Sequence, residues 1–246
     1  MNHEQGIHKS DVTMYRRSFL ATVGIAATVG LLGLVQGSSL AYALTKEEHD
    51  KMTPDEIIAR GKKGNERFRS GKRKERDLLR EQKNTAKGQH PAAIVLSCID
   101  SRAPVELILD LGIGDTFNSR VAGNIANEDI LGSMEYACAV VGSKLVLVMG
   151  HTNCGAIKGA IDNVQLGNLT GLLDKIRPAV ESTQYDGDRT AKNYLFVNAV
   201  ARKNVELTMA RIRADSSVLK GLEDKGHIKI AGAMYSVETG AVEFFA

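Results

Sequence analysis

The 246-residue chain predicts an α/β fold: a mainly parallel central sheet flanked by helices, with an N-terminal helical arm and a C-terminal hairpin. Three observations predict it. After Pro91, short apolar runs such as "AAIVL" and "KLVLVM" alternate with helical stretches, the pattern of parallel strands buried on both faces. Before Pro91 the chain is polar and helix-favouring. At its end, two alternating runs flank Glu238-Thr239-Gly240, a turn signal.

The first 43 residues stand apart from this fold. Arg16-Arg17 precedes an apolar run from Phe19 to Val35 that contains Gly24, Gly30 and Gly33, and Ala41-Tyr42-Ala43 follows as a small-residue cleavage pattern. This has the form of a bacterial-type twin-arginine export signal and predicts a periplasmic or otherwise exported mature chain, in contact with the membrane only during export. A retained anchor is the alternative, but spanning a bilayer takes about 20 consecutive apolar residues, more than this glycine-rich run offers. Residues 44–90 then form the arm and residues 91–246 the core.

In the arm, Thr45-Lys46-Glu47-Glu48 has the form of a capped helix start. Pro54 suits the first turn of a second helix through "DEIIARGKKGNERFRSG". Between Lys62 and Lys83 lie ten basic and four acidic residues. No aromatic residue interleaves them beyond Phe68, so they read as a solvated helical arm and not as a polyanion-binding face. In the core, "AAIVLSC", "DTFNSRVA" and "KLVLVMGH" read as strands, with "DILGSMEYACAVVG" a helix between the last two. "LTGLLDKIRPAV" and "AKNYLFVNAVARKNVELTMARIRA" read as further helices, and "KIAGAMYSVETGAVEFF" as the hairpin.

Hydrophobic residues make up 43% of the chain and charged residues 25%, which excludes a disordered polyelectrolyte. The formal net charge is +3; Lys9, Arg16 and Arg17 against Glu4 and Asp11 account for +1 of it, so the mature chain carries +2, too balanced to argue for nucleic acid. Three cysteines, Cys98, Cys138 and Cys154, are too few for a disulfide scaffold. Cys138 sits within the apolar "YACAVV" and reads as a small buried hydrophobe.

The other two cysteines carry chemistry. Cys98 follows one apolar strand, and Gly150-His151-Thr152-Asn153-Cys154-Gly155 follows another, so Cys98, His151 and Cys154 gather where open α/β sheets place their sites, at the carboxyl ends of neighbouring strands. Two thiolates and one imidazole are a zinc-type set, and three ligands leave a fourth position for water, the catalytic pattern. In "SCIDSR", alternation along an extended segment places Cys98, Asp100 and Arg102 on one side. The carboxylate can then reach that water while the guanidinium keeps it ionised. Two thiolates offset the charge of the ion, which predicts a weaker acidification of water and an activity that rises on the alkaline side.

The pair "CIDSR" and "HTNC", about fifty residues apart, closely resembles the β-class carbonic anhydrases, and the similarity runs from about Lys87 to the final hairpin. The resemblance implies Cys98, His151 and Cys154 as zinc ligands and Asp100 with Arg102 as the catalytic pair. It implies that Gln89 reaches the substrate from a partner subunit and that the backbone amide of Gly155 faces bound bicarbonate. Arg120-Val121-Ala122-Gly123-Asn124 resembles the RxAxN-type turn of the family. The implied activity is hydration of carbon dioxide to bicarbonate and a proton, in a homodimer or larger even homo-oligomer. In some relatives the aspartate closes the site with the help of a bicarbonate pocket that includes a tryptophan. Here that position is Val95 and the chain has no tryptophan, which favours a water-open site, although Arg120 matches the arginine of that pocket.

Two other functions fit the same residues. One keeps the fold and ligands and hydrolyses carbon disulfide or carbonyl sulfide; the other is a non-enzymatic zinc-binding or redox protein in which Cys98 and Cys154 pair. The absence of C-x-x-C argues against a dithiol oxidoreductase, and intact Asp100 and Arg102 argue against an inert scaffold. His90 and His227 lie in polar loops and read as solvated.

Overall fold

The arm begins with two short, capped helices. The structure, a computed structural model, describes residues 43–245, all within the unit Ser38–Ala246; the export-signal reading, residues 1–43, lies outside the described residues except for Ala43. Helix α1 (Lys46–Lys51) starts at Thr45 and helix α2 (Pro54–Arg69) at Thr53, each with a reciprocal capping box to Glu48 or Glu56. Pro54 occupies the first turn of α2 as its fixed φ allows. Helix α3 (Leu78–Thr85) starts at Asp77.

The arm is anchored on the core by close approach and by charge. At Gly64 a Cβ would sit 1.9 Å from the carbonyl oxygen of Leu109, so only glycine lets α2 lie this close. Asn65 Nδ2 donates to Ile108 O at 3.2 Å and to Gly240 O at 2.8 Å, and Asn65 Oδ1 accepts from Val242 N at 2.9 Å. Most basic residues of the arm are exposed, as expected of a solvated arm, but Arg67 and Arg76, with Arg60 before them, depart from that expectation. Arg67 Nε bonds Asp110 Oδ2 at 2.6 Å, Arg60 Nη2 bonds Asp115 Oδ2 at 3.1 Å and Arg76 Nη1 bonds Glu81 Oε1 at 2.6 Å. All three carboxylates are buried. Basic residues that pattern alone assigns to water are drawn inward because buried carboxylates must be paired.

The sheet has five strands in the order β2-β1-β3-β4-β5. Strands β1 (Ala93–Ser97), β2 (Thr116–Arg120), β3 (Leu145–His151) and β4 (Lys229–Tyr235) are parallel, and β5 (Val242–Phe245) closes the terminal hairpin antiparallel to β4. Every residue of β1 and β3 is buried. Ile94, Leu96, Val146 and Val148 face one core; Ala93, Val95, Leu145, Leu147 and Met149 face the other. Two covered faces are why these strands read as unbroken apolar runs. Strand β4 follows the same logic, buried from Ile230 onward, where an alternating pattern was expected; it lies inside the sheet between β3 and β5.

The first core is capped by the long helix α9 (Tyr194–Asp215), whose Phe196, Val197, Val200 and Val205 are fully buried. The expected helix over "DILGSMEYACAVVG" is two pieces, α5 (Glu128–Glu135) and a π-helical turn Tyr136–Val141 that ends at Gly142. "LTGLLDKIRPAV" likewise splits into α7 (Gly167–Asp174) and α8 (Arg177–Ser182), with Pro178 in the first turn of α8. Helices α4 (Val105–Ile108), α6 (Gly155–Ile161) and α10 (Ser217–Asp224) complete the fold. Among the described residues no helix is long and apolar enough to cross a membrane.

Candidate metal centre

The chain runs from β1 to β2 on one side and then places β3 on the other side of β1. That reversal makes the carboxyl ends of β1 and β3 the switch point of the sheet, where an open α/β fold leaves a crevice. Cys98 follows β1 directly, His151 is the last residue of β3 and Cys154 caps α6. All three are buried, at 4%, 1% and 1% exposure. Their donor atoms lie within 4.8 Å of one another.

This group fits a zinc ion. Cys98 Sγ and Cys154 Sγ are 3.9 Å apart and both are free, and two sulfurs each about 2.3 Å from one tetrahedral zinc stand about 3.8 Å apart. The redox reading requires a disulfide between them, and none joins them. His151 Nδ1 donates to Thr152 O at 2.9 Å, which leaves the lone pair of Nε2 free, and that atom is buried with no partner among the described residues. A second bond that fixes the ring in this way is the usual arrangement at a metal-ligating histidine. Hydrogen bonding from the Cys154 thiol, and to a lesser degree from the Gly123 amide, pulls the Cys98 thiol down against the opposing effect of burial, while Cys98 and burial push Cys154 up. The pair gives up one proton readily and resists the second, a conflict that a bound dication removes. Cys138, by contrast, is pushed up to about 12 by burial and belongs to the apolar core, as its sequence setting predicts.

Asp100 and Arg102 are brought together differently from the expected extended alternation. The strand ends at Ser97 and the chain turns: Ala103 N donates to Asp100 O at 3.0 Å and Arg102 N to Asp100 Oδ1 at 3.0 Å. The tight turn folds the guanidinium back, so that Arg102 Nε and Nη2 bond Asp100 Oδ1 and Oδ2 at 2.9 and 2.8 Å. These bonds hold the Asp100 carboxyl well below the usual carboxylate range against the opposing effect of burial. Asp100 Oδ2 lies 3.8 Å from His151 Nε2, beside the three-residue group but outside it.

The remaining expected residues are more scattered. Gly155 opens α6 next to Cys154 and is exposed; a Cβ there would meet nothing, so packing does not require glycine. Gln89 is exposed before β1, at the opposite end of that strand from Cys98. His227 is exposed and His90 half-buried, its ring 6.4 Å from that of the buried His49. Arg120 donates to Cys98 O at 2.9 Å and to Asp100 O at 2.5 Å. Its guanidinium therefore holds the loop that carries both residues, a role the sequence did not reveal because the partners are main-chain carbonyls.

A family model for carbonic anhydrase matches residues 93–242. Carbonic anhydrase 2 of Mycobacterium tuberculosis is 32% identical over 185 residues, covering 73% of this chain and 86% of that protein. A carbonic anhydrase of Mycolicibacterium smegmatis is 30% identical over 184 residues, covering 74% and 88%. Among solved structures, the β-carbonic anhydrase CafA of Aspergillus fumigatus superposes with a TM-score of 0.59 at 25% identity, covering 78% of this chain and 89% of that one. A Sordaria macrospora β-carbonic anhydrase, described as tetrameric, shares the fold at 24% identity and a TM-score of 0.59, covering 66% and 84%.

Fold and site together define an α/β metalloenzyme with a Cys-His-Cys centre at a switch point. The chain belongs to the β-class carbonic anhydrase family, zinc enzymes that hydrate carbon dioxide to bicarbonate.

Proposed function

We propose that Cys98, His151 and Cys154 hold the zinc through Sγ, Nε2 and Sγ, and that Asp100 and Arg102 serve the hydration as a fixed pair. When bound, zinc supplies a Lewis acid that makes a nucleophile of water near neutral pH. The observation that carries this reading is the buried, unpartnered Nε2 of His151 beside two free thiols, since a buried polar atom without a partner is costly unless a ligand takes it. Asp100, kept ionised by Arg102, can only accept hydrogen bonds. Through Oδ2 it accepts one from the attacking water or hydroxide, leaving an oxygen lone pair aimed at the carbon of carbon dioxide. Engagement of both carboxylate oxygens by Arg102 supports a water-open resting site.

The Gly155 amide faces bicarbonate in this proposal, and Gln89, remote from the centre of its own chain, serves that of a neighbouring subunit in a homodimer or larger even homo-oligomer. The tetrameric relatives from Sordaria macrospora support an oligomer. The paired arginines, apolar run and Ala41-Tyr42-Ala43 support twin-arginine export of a bacterial type, with cleavage after Ala43 and a periplasmic or otherwise exported location.

Stopped-flow hydration of carbon dioxide by the chain starting at Leu44, with its zinc content, tests the reading. One zinc per chain is expected, with hydration that rises on the alkaline side and falls by about 100-fold or more in Asp100→Asn. Full activity in that variant would remove Asp100 from the mechanism. Zinc without hydration would turn attention to the sulfur analogues of carbon dioxide, and a zinc-free protein with Cys98 bonded to Cys154 would overturn the ligand set.

A further inference from the structure

The ligands sit on two loops, Cys98 after β1 and His151 with Cys154 after β3, and one helix, α9, bonds through Asn198 to the second loop and through Asn204 to the Gly123 turn that meets Cys98. We propose that Asn198 and Asn204 are positioning residues that set the geometry of the metal site, an inference that rests on Cys98, His151 and Cys154 being its ligands.

Asn204 is 3% exposed and its Nδ2 donates to the Gly123 carbonyl at 2.7 Å. Gly123 stands in the left-handed region at φ 68°, and its own N–H donates to Cys98 Sγ at 3.3 Å. The amide of Asn204 thus fixes the orientation of the residue whose N–H meets the sulfur. On the loop after β3, Asn153 lies between His151 and Cys154 in the left-handed region at φ 56°, which asparagine visits and most residues avoid. Its N–H donates to Asn198 Oδ1 at 2.9 Å. The spacing of His151 from Cys154 depends on that left-handed turn, which the bond to Asn198 holds in place.

Packing does not explain these two asparagines. Around them α9 buries Phe196, Val197, Val200, Ala201 and Val205 against the sheet, where an amide costs free energy unless it is bonded. The same burial makes the helix a rigid reference for both loops. Outer contacts that orient metal ligands matter about 10- to 100-fold in metal affinity.

The test measures zinc affinity by chelator competition and the thiolate-to-metal absorption band of the cobalt-substituted protein, with thermal unfolding of the zinc-free and zinc-loaded chains in parallel. Asn198→Asp keeps the acceptor and is expected to hold zinc as the unaltered protein does. Asn198→Leu loses the acceptor and Asn204→Asp the donor, and each is expected to weaken zinc about 10- to 100-fold and shift the cobalt band. Asn204→Ala gives the same result without a buried carboxylate. Variants that melt lower by equal amounts with and without zinc, at unchanged affinity and cobalt band, would reduce both residues to packing and overturn the proposal. An unaltered protein that takes up neither metal would instead overturn the ligand assignment, and the positioning with it.

Discussion

Gly123 combines three demands on one position: a φ of 68°, an N–H directed at Cys98 Sγ, and a side chain no larger than hydrogen. A Cβ there would stand 2.5 Å from Ile176 Cδ1, in a fully buried side chain that cannot swing into solvent. Gly123→Ala is therefore expected to destabilise the protein by about 2 kcal/mol, from strain and overpacking together, measured as a lower urea midpoint at unchanged slope. His151→Ala removes the nitrogen ligand, and metal analysis should then find zinc well below one per chain. The identities of these residues were legible in "CIDSR", "HTNC" and the RxAxN-type turn. The route by which Asp100 meets Arg102 was not. A turn and an alternating strand can bring the same two side chains together, and only the main-chain bonds of Asp100 distinguish them.

The arm behaves as part of the core and not as a tail, because Asp110 on the α4–β2 connection is paired across to it. Burial pushes the Asp110 carboxyl up, but bonds from Arg67 and the Lys74 amide, with the Arg67 and Arg76 charges, more than reverse this and hold it below its ordinary value. A lowered folded value means that the pairing contributes in full above about pH 4, the unfolded value, and is lost as pH falls through the folded one. Asp110→Asn is thus expected to cost about 3 kcal/mol at neutral pH, as breaking a buried pair does. The gap from the unaltered protein should close on acidification below about pH 4. A gap of constant size from pH 7 to pH 2 would mean that the charge contributes nothing. Thr53→Ala removes the cap of α2 and should cost about 1 kcal/mol by thermal unfolding. Helix starts were readable because capping is local, whereas the change from α-helical to π-helical bonding at Tyr136 leaves no mark in residue type.

Folding and metal binding are coupled through the whole molecule, since the ligands belong to loops that only the assembled sheet brings together. Free zinc at 100 times its dissociation constant should add about 2.7 kcal/mol of stability, and a chelator should lower the melting temperature by the corresponding amount. If the proposed export holds, N-terminal sequencing of the mature protein should begin at Leu44, and replacing Arg16 and Arg17 by Lys should leave the precursor in the cytoplasm; a mature chain beginning at Met1 would overturn cleavage.

The α/β class, the five strands in order, the starts of the first two arm helices and the candidate ligand set were legible in the sequence, because apolar periodicity, caps and ligand spacing are written in neighbouring residues. The arm charges, the turn at Asp100, the engagement of Arg120 by main-chain carbonyls and the two asparagines of α9 depended on the tertiary structure. Apart from the local Arg76–Glu81 pair, each of these joins groups 20 or more residues apart in the chain or pairs a side chain with a carbonyl or amide that every residue carries, so no pattern of residue types records it.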